Sequence, residues 1–244
     1  MNSLAATGRL AYRPWSLPPV NEARTFLTQL YGGERRGLVY LADATEDTTP
    51  NPRPGEADRI KGKTRQGTVE PFDLSEPDAL SRMARRAVEV GNVMATNGIY
   101  RPAPTSALDA AAALLSSRRT WAGVMGQRPR RDHLRCARSA VCDFDGPATF
   151  LMAEVERQGL RDPLLPSLLV SSGSVTDGWP HFHAVFRLDR PVDADELATI
   201  QGGLTDHFKA DADFLVSHVR VPGCRFPNKA GELHQAQVWE AVTE

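Results

Sequence analysis

The sequence predicts an α/β protein of the α+β kind, and three observations predict it. Of 244 residues, 41% are hydrophobic and 24% charged, which suffices for a sizeable core under an ordinary charged surface. Stretches with apolar residues at helical spacing alternate with short apolar runs bounded by Gly, Pro and Asp. From Asp143 onward the elements follow the order strand, helix, strand, strand, helix, strand.

Residues 1–20 are Pro-rich and read as an irregular arm. Asn21 then caps a helix carrying Ala23, Phe26, Leu27 and Leu30, which stops at Gly32-Gly33. Leu38 to Leu41 is a strand. From Ala44 to Gln66 the chain is rich in Thr, Pro, Gly and charge without periodicity, the composition of a flexible loop. A second helix is expected from Ser75 to Val90, with Leu80, Met83, Ala84, Ala87 and Val88 on one face, then a strand over Asn92–Thr96 and a third helix over Leu108–Ser116. After the strand ending at Asp143, Pro147 opens a helix through Leu151 and Val155. Strands follow at Leu168–Val170 and His183–Leu188, a helix over Asp193–His207 with Leu197, Ile200, Leu204 and Phe208 on one face, and short strands near Ser217–Val221 and Gln237–Glu240. The order of this second half resembles a ferredoxin-like palm.

A formal net charge of −1 gives no global field for nucleic acid, but arginine outnumbers lysine 25 to four. A GC-rich coding bias accounts for most of these arginines. The dense stretch Arg118, Arg119, Arg128, Arg130, Arg131, Arg135 and Arg138 also suits contact with a phosphate backbone, or else forms a solvated face. Cys136, Cys142 and Cys224 form no CxxC pair and, being odd in number, no disulfide framework. A zinc site from His133, Cys136 and Cys142 is disfavoured, because Cys142 adjoins Asp143 on a strand and faces the other way. Neither a signal peptide nor an apolar run of about 18 residues is present, so a cytoplasmic protein without a membrane partner is expected.

The chemistry concentrates in Val141-Cys142-Asp143-Phe144-Asp145-Gly146. On a strand Asp143 and Asp145 point one way and Phe144 the other, into the core. Two carboxylates aimed at one spot repel unless a cation lies between them, and an oxygen-rich site suits Mg²⁺ or Mn²⁺. Downstream come Ser171-Ser172-Gly173, read as a turn, and a strand holding His181 and His183. Then follow Asp211 and Asp213, and Arg220-Val221-Pro222-Gly223 with Asn228-Lys229.

This ordered set resembles the archaeo-eukaryotic primase superfamily, in particular the primase-polymerase domains of phages and plasmids. The resemblance covers about residues 138–240. It implies an RRM-like palm over 136–244, behind an N-terminal helix-and-strand subdomain over 21–135 with its flexible loop at 44–66. It also implies a DNA primase/polymerase, a template-directed nucleotidyltransferase that makes primers on single-stranded DNA from nucleoside triphosphates. In such an enzyme Asp143, Asp145 and Asp211, with Asp213 as the alternative third carboxylate, would hold two Mg²⁺ or Mn²⁺ ions. His183, preferred over His181 because the strand continues after it, would donate to the triphosphate. Ser172, Arg220, Asn228 and Lys229 would contact the nucleotide. The chain ends soon after the last motif, so a replicative helicase is expected as a separate partner.

Two rivals stand beside it. His181-Phe182-His183 also fits the His-hydrophobe-His metal site of rolling-circle initiator nucleases and relaxases. Those enzymes need a tyrosine nucleophile. The four tyrosines, Tyr12, Tyr31, Tyr40 and Tyr100, all precede the motif, which leaves only the relaxase arrangement with Tyr12. A non-catalytic DNA-binding replication protein would use the arginines and leave the carboxylates without a task.

Overall fold

Side-chain alternation along long strands builds one large antiparallel sheet, with helices packed on both faces. The computed structural model describes residues 10–43, 46–47, 63–64, 69–101, 133–144, 165–176, 179–208, 210, 218–227 and 233–243. In chain order the elements of the first half are β1 (Leu10–Pro14), α1 (Pro19–Leu30), β2 (Leu38–Asp43), β3 (Glu46–Asp47), β4 (Lys63–Thr64), β5 (Val69–Asp73), α2 (Ala79–Val90), β6 (Val93–Thr96) and β7 (Gly98–Tyr100). The second half has β8 (Leu134–Phe144), β9 (Leu168–Thr176), β10 (Trp179–Val192), α3 (Ala194–Phe208), β11 (His218–Arg220), β12 (Arg225–Pro227), β13 (Leu233–Gln235) and β14 (Val238–Thr243).

Among the described residues, ten strands form the main sheet in the order β1-β14-β9-β10-β8-β7-β2-β6-β11, with β5 on β2. On β8 and β10, Val141 and Val185 join the cluster of α1 and α2, built on Phe26, Leu27, Leu30, Met83 and Ala87. Their neighbours Cys142, Phe144, Ala184 and Phe186 join Leu197, Leu204 and Phe208 of α3 on the other face. Full burial of Phe26, Leu27 and Leu30 contributes on the order of 2 kcal/mol each. Polar clamps hold β8 in place: Ser139 Oγ donates to the Leu30 carbonyl of α1 (3.1 Å), and Asn97 Nδ2, between β6 and β7, donates to the Ser139 carbonyl (3.0 Å).

The α/β, α+β class is as expected, with several local differences. β10 lies between β8 and β9 and is antiparallel to both, the first three strands of a ferredoxin-like order. The strand after α3 does not return to β8. β7 takes that place, and β11 pairs with β6 at the far side of the sheet. Within the arm, Leu10–Pro14 is a strand because β14 offers it an unpaired edge. Pro18, not Asn21, is the N-cap residue of α1, with Pro19 at N1, where its fixed φ suits the first turn. The second helix starts at Ala79 rather than Ser75, since Asp73 Oδ1 accepts from both the amide and hydroxyl of Ser75 and holds a turn there. Pro71 hid β5 in the sequence; it is tolerated because β5 is an edge strand. In the loop 44–66, β3 and β4 pair with one another, and its other residues are outside the described ones. So are the helices expected at 108–116 and after Pro147.

Glu22 is a buried carboxyl among the described residues, 5% exposed on the inner side of α1. Burial lifts its carboxyl to about 7, against the opposing effect of a hydrogen bond from the Val238 amide. Its folded-state affinity for the proton exceeds that of the unfolded chain. The associated stability is therefore complete below about pH 4.5 and is lost as pH rises through 7. Chemical denaturation at pH 5 and pH 8 should show wild type losing on the order of 3 kcal/mol between them. Glu22→Gln should show little of that loss; an equal loss in the variant would assign the pH dependence elsewhere.

Candidate active site

The antiparallel register sets Asp143 of β8 directly opposite His183 of β10. Phe144 turns to the α3 face, where its ring meets Phe208 edge-on at 6.1 Å, so Asp143 occupies the opposite face. His183 Nε2 lies 3.7 Å from Asp143 Oδ1, an electrostatic approach just beyond hydrogen-bonding distance. The other ring nitrogen, Nδ1, accepts the Arg220 backbone N–H at 3.1 Å. A backbone amide can only donate. The neutral imidazole therefore carries its proton on Nε2, the nitrogen that faces the carboxylate.

Asp143 is divided between two environments. Its side chain is 45% exposed, yet Oδ1 is buried and accepts no hydrogen bond among the described residues. A buried carboxylate oxygen without a donor is costly, and a hard cation is the partner that such an oxygen suits. The residue fits a divalent metal in that respect. Among the described residues no three His, Cys, Asp or Glu side chains converge as a metal site. Asp145, Asp211 and Asp213 lie outside the described residues, as do Asn228 and Lys229.

β11 brings Arg220 to this cluster. Its Nη1 donates to Asn92 Oδ1 at 2.7 Å, and its guanidinium carbon lies 4.3 Å from the Phe226 ring centroid. Of the predicted site residues, Asp143, His183 and Arg220 thus come together. His181 is buried two positions before His183, across a bulge between Pro180 and Phe182. Ser172 stands within strand β9, not in a turn, because β9 runs on to Thr176 as a hairpin with β10. Sequence reasoning missed Asn92, Phe226 and His218. Burial, and secondarily the neighbouring His183, lowers His218 to about 4, so it is neutral at physiological pH. The alternation His218-Val219-Arg220, with Val219 in the core, was the available signal for His218.

Other expectations resolve on the same geometry. Cys136 and Cys142 belong to the clusters on opposite faces of the sheet, and all three cysteines are buried free thiols, so the zinc site stays disfavoured. Arg138 is bonded to Glu34 (3.0 and 2.8 Å) and Arg135 to the Arg36 carbonyl, which ties β8 to the segment after α1. Arg118 to Arg131 are outside the described residues. Tyr12 donates its hydroxyl to the Pro166 carbonyl (2.8 Å) and packs with the α3 cluster, on the face away from His183. Tyr31 donates to the Thr96 carbonyl (2.9 Å), and burial pushes the Tyr40 phenol up to about 12. This leaves the tyrosine-nucleophile chemistry without a presented nucleophile.

No protein-family model matches the sequence, and no curated protein matches it. Two solved structures are similar. One is the AEP domain of the primase-polymerase of cyanophage S-2L, with a TM-score of 0.52 at 15% identity over 92% of this chain and 91% of that one. The other is the catalytic domain of primase Repb' in complex with initiator DNA, with a TM-score of 0.43 at 13% identity over 93% and 84%. The first likeness identifies the fold as the archaeo-eukaryotic primase fold.

Gly223 seats the loop that follows Arg220. Its φ is +79°, and a Cβ there would lie 2.5 Å from the Pro19 carbonyl oxygen and 2.9 Å from Pro19 Cα, both backbone atoms. Gly223→Ala should cost roughly 2–4 kcal/mol of stability, read as a lowered denaturation midpoint. An unchanged midpoint would show that the loop can retreat from α1 freely.

Proposed function

We propose that this chain is a DNA primase-polymerase, a nucleotidyltransferase that synthesises primers on single-stranded DNA in plasmid or phage replication. The observation that carries the reading is His183 held between the Asp143 carboxylate and the Arg220 amide on a primase fold. In this reading residues 136–244 are the catalytic palm.

Asp143, with Asp145 and Asp211 (or Asp213), would hold Mg²⁺ or Mn²⁺; the buried Asp143 Oδ1 is the acceptor that fits such an ion. When bound, the divalent ions would favour ionisation of the primer 3′-hydroxyl and offset charge on the departing pyrophosphate. His183 keeps its proton at Nε2 because the Arg220 amide occupies Nδ1, and that N–H donates to the triphosphate of the incoming nucleotide. Arg220, Asn228 and Lys229 bind the phosphates, and Ser172 supplies a short hydroxyl or amide donor. The arginines from Arg118 to Arg131 follow the template backbone, while Arg135 and Arg138 have structural partners. A replicative helicase is a further partner in this reading. Among the described residues no helix is long and apolar enough to cross a membrane.

Primer synthesis on a single-stranded template, with labelled nucleotides and Mg²⁺ or Mn²⁺, tests this directly. Wild type should give product that chelation abolishes. Asp143→Ala/Asp145→Ala should give none, and His183→Ala should fall by about 10²–10³-fold. Product from the double variant would overturn the carboxylate assignment. DNA binding without synthesis in every protein would favour the non-catalytic replication protein. A strand nick with a tyrosine-linked DNA end would favour the initiator nuclease.

A further inference from the structure

The junction of α2 and β6 is a tight corner that reaches into the site. Gly91 has φ +68° and Asn92 φ +38°, a left-handed conformation uncommon for a residue with a side chain. The corner is seated on β12: the Asn92 amide donates to the Arg225 carbonyl at 2.8 Å, and a Cβ on Gly91 would lie 2.8 Å from that same oxygen. One residue further along β12, Phe226 presents its ring to Arg220. Strained backbone held by its surroundings is a feature that clusters at functional sites.

We propose that Asn92 is a positioning residue that sets the plane of the Arg220 guanidinium for the phosphates of an incoming nucleotide. This inference rests on the primase reading above. The chemistry of the holders favours it. A guanidinium recognises phosphate through a planar fork, so its orientation matters as much as its charge. Asn92 Oδ1 fixes one edge of the fork at 2.7 Å, and the Phe226 ring covers one face at 4.3 Å. Asn92 and Phe226 are both neutral, so these two holders orient the fork without adding negative charge beside it. A carboxylate at position 92 would fix the same edge while competing with the phosphate for the cation.

Two variants separate positioning from stability. Asn92→Gly removes the acceptor from a backbone conformation that glycine adopts without strain, so thermal stability should be held or raised. Asn92→Asp keeps the shape and adds a charge. In primer extension, and in binding of a fluorescent nucleoside triphosphate, both should raise KM and Kd for nucleotide about tenfold with kcat within about twofold. An unchanged KM and Kd in both variants, with wild type active, would overturn the role of Asn92 and leave the primase reading standing. Activity lost in step with melting temperature would reduce Asn92 to a structural part. A wild-type chain that neither binds nor incorporates nucleotide would remove the primase reading and this inference together.

Discussion

The register between β8 and β10 is the constraint on which the rest depends. With Asp143 opposite His183, period-two alternation fixes the fate of every neighbour. Val141 and Val185 go to the helices α1 and α2, while Cys142, Phe144, Ala184 and Phe186 go to α3. A slip by one residue would bury the carboxylate under α3 and turn Phe144 outward. The hydrophobic pattern therefore secures the polar pair, and the core on one face is what keeps the chemistry on the other.

A second layer of organisation converts that pair into a site. β11 carries no large share of the core, yet its backbone reaches His183 and its Arg220 side chain reaches Asn92. The N-terminal elements thus support the site as well as pack beside it. α2 ends in the corner that holds Arg220, and α1 is pinned to β8 through Ser139 and, by way of the following segment, through Arg138 and Glu34. Removing the N-terminal elements would take the Asn92 acceptor from Arg220 while leaving the Arg220 amide on His183 in place.

Much of this was legible in the sequence, for identifiable reasons. Asp143, Phe144 and His183 sit on strands with strict alternation, so their faces follow from local pattern alone. The helices α1, α2 and α3 announced themselves through apolar residues three and four apart. What could not be read depends on distant partners. Leu10–Pro14 is a strand only because β14 lies beside it, β7 is too short to carry a period, and Pro71 masks β5. Asn92 stands 128 residues from Arg220, a separation across which local spacing says nothing. Ser172 was misplaced into a turn because its Ser-Gly composition is that of a turn, whereas pairing with β10 extends the strand.

The pairing of β1 with β14 has a consequence for how the molecule comes into being. Trp15 Nε1 donates to Glu240 across a sequence separation of 225 residues, beside a strand ladder of similar span. Contacts so remote are the ones that slow folding, because the chain must close its longest loop before they contribute. During synthesis, β1 has no β14 to pair with until Val238–Thr243 have emerged. Until then the outer edge of β9, which β14 later covers, is an open template for strand addition. The β1–β14 ladder acts as a late clasp, and a nascent chain that waits too long for it is exposed to edge-to-edge association with its neighbours on the same message.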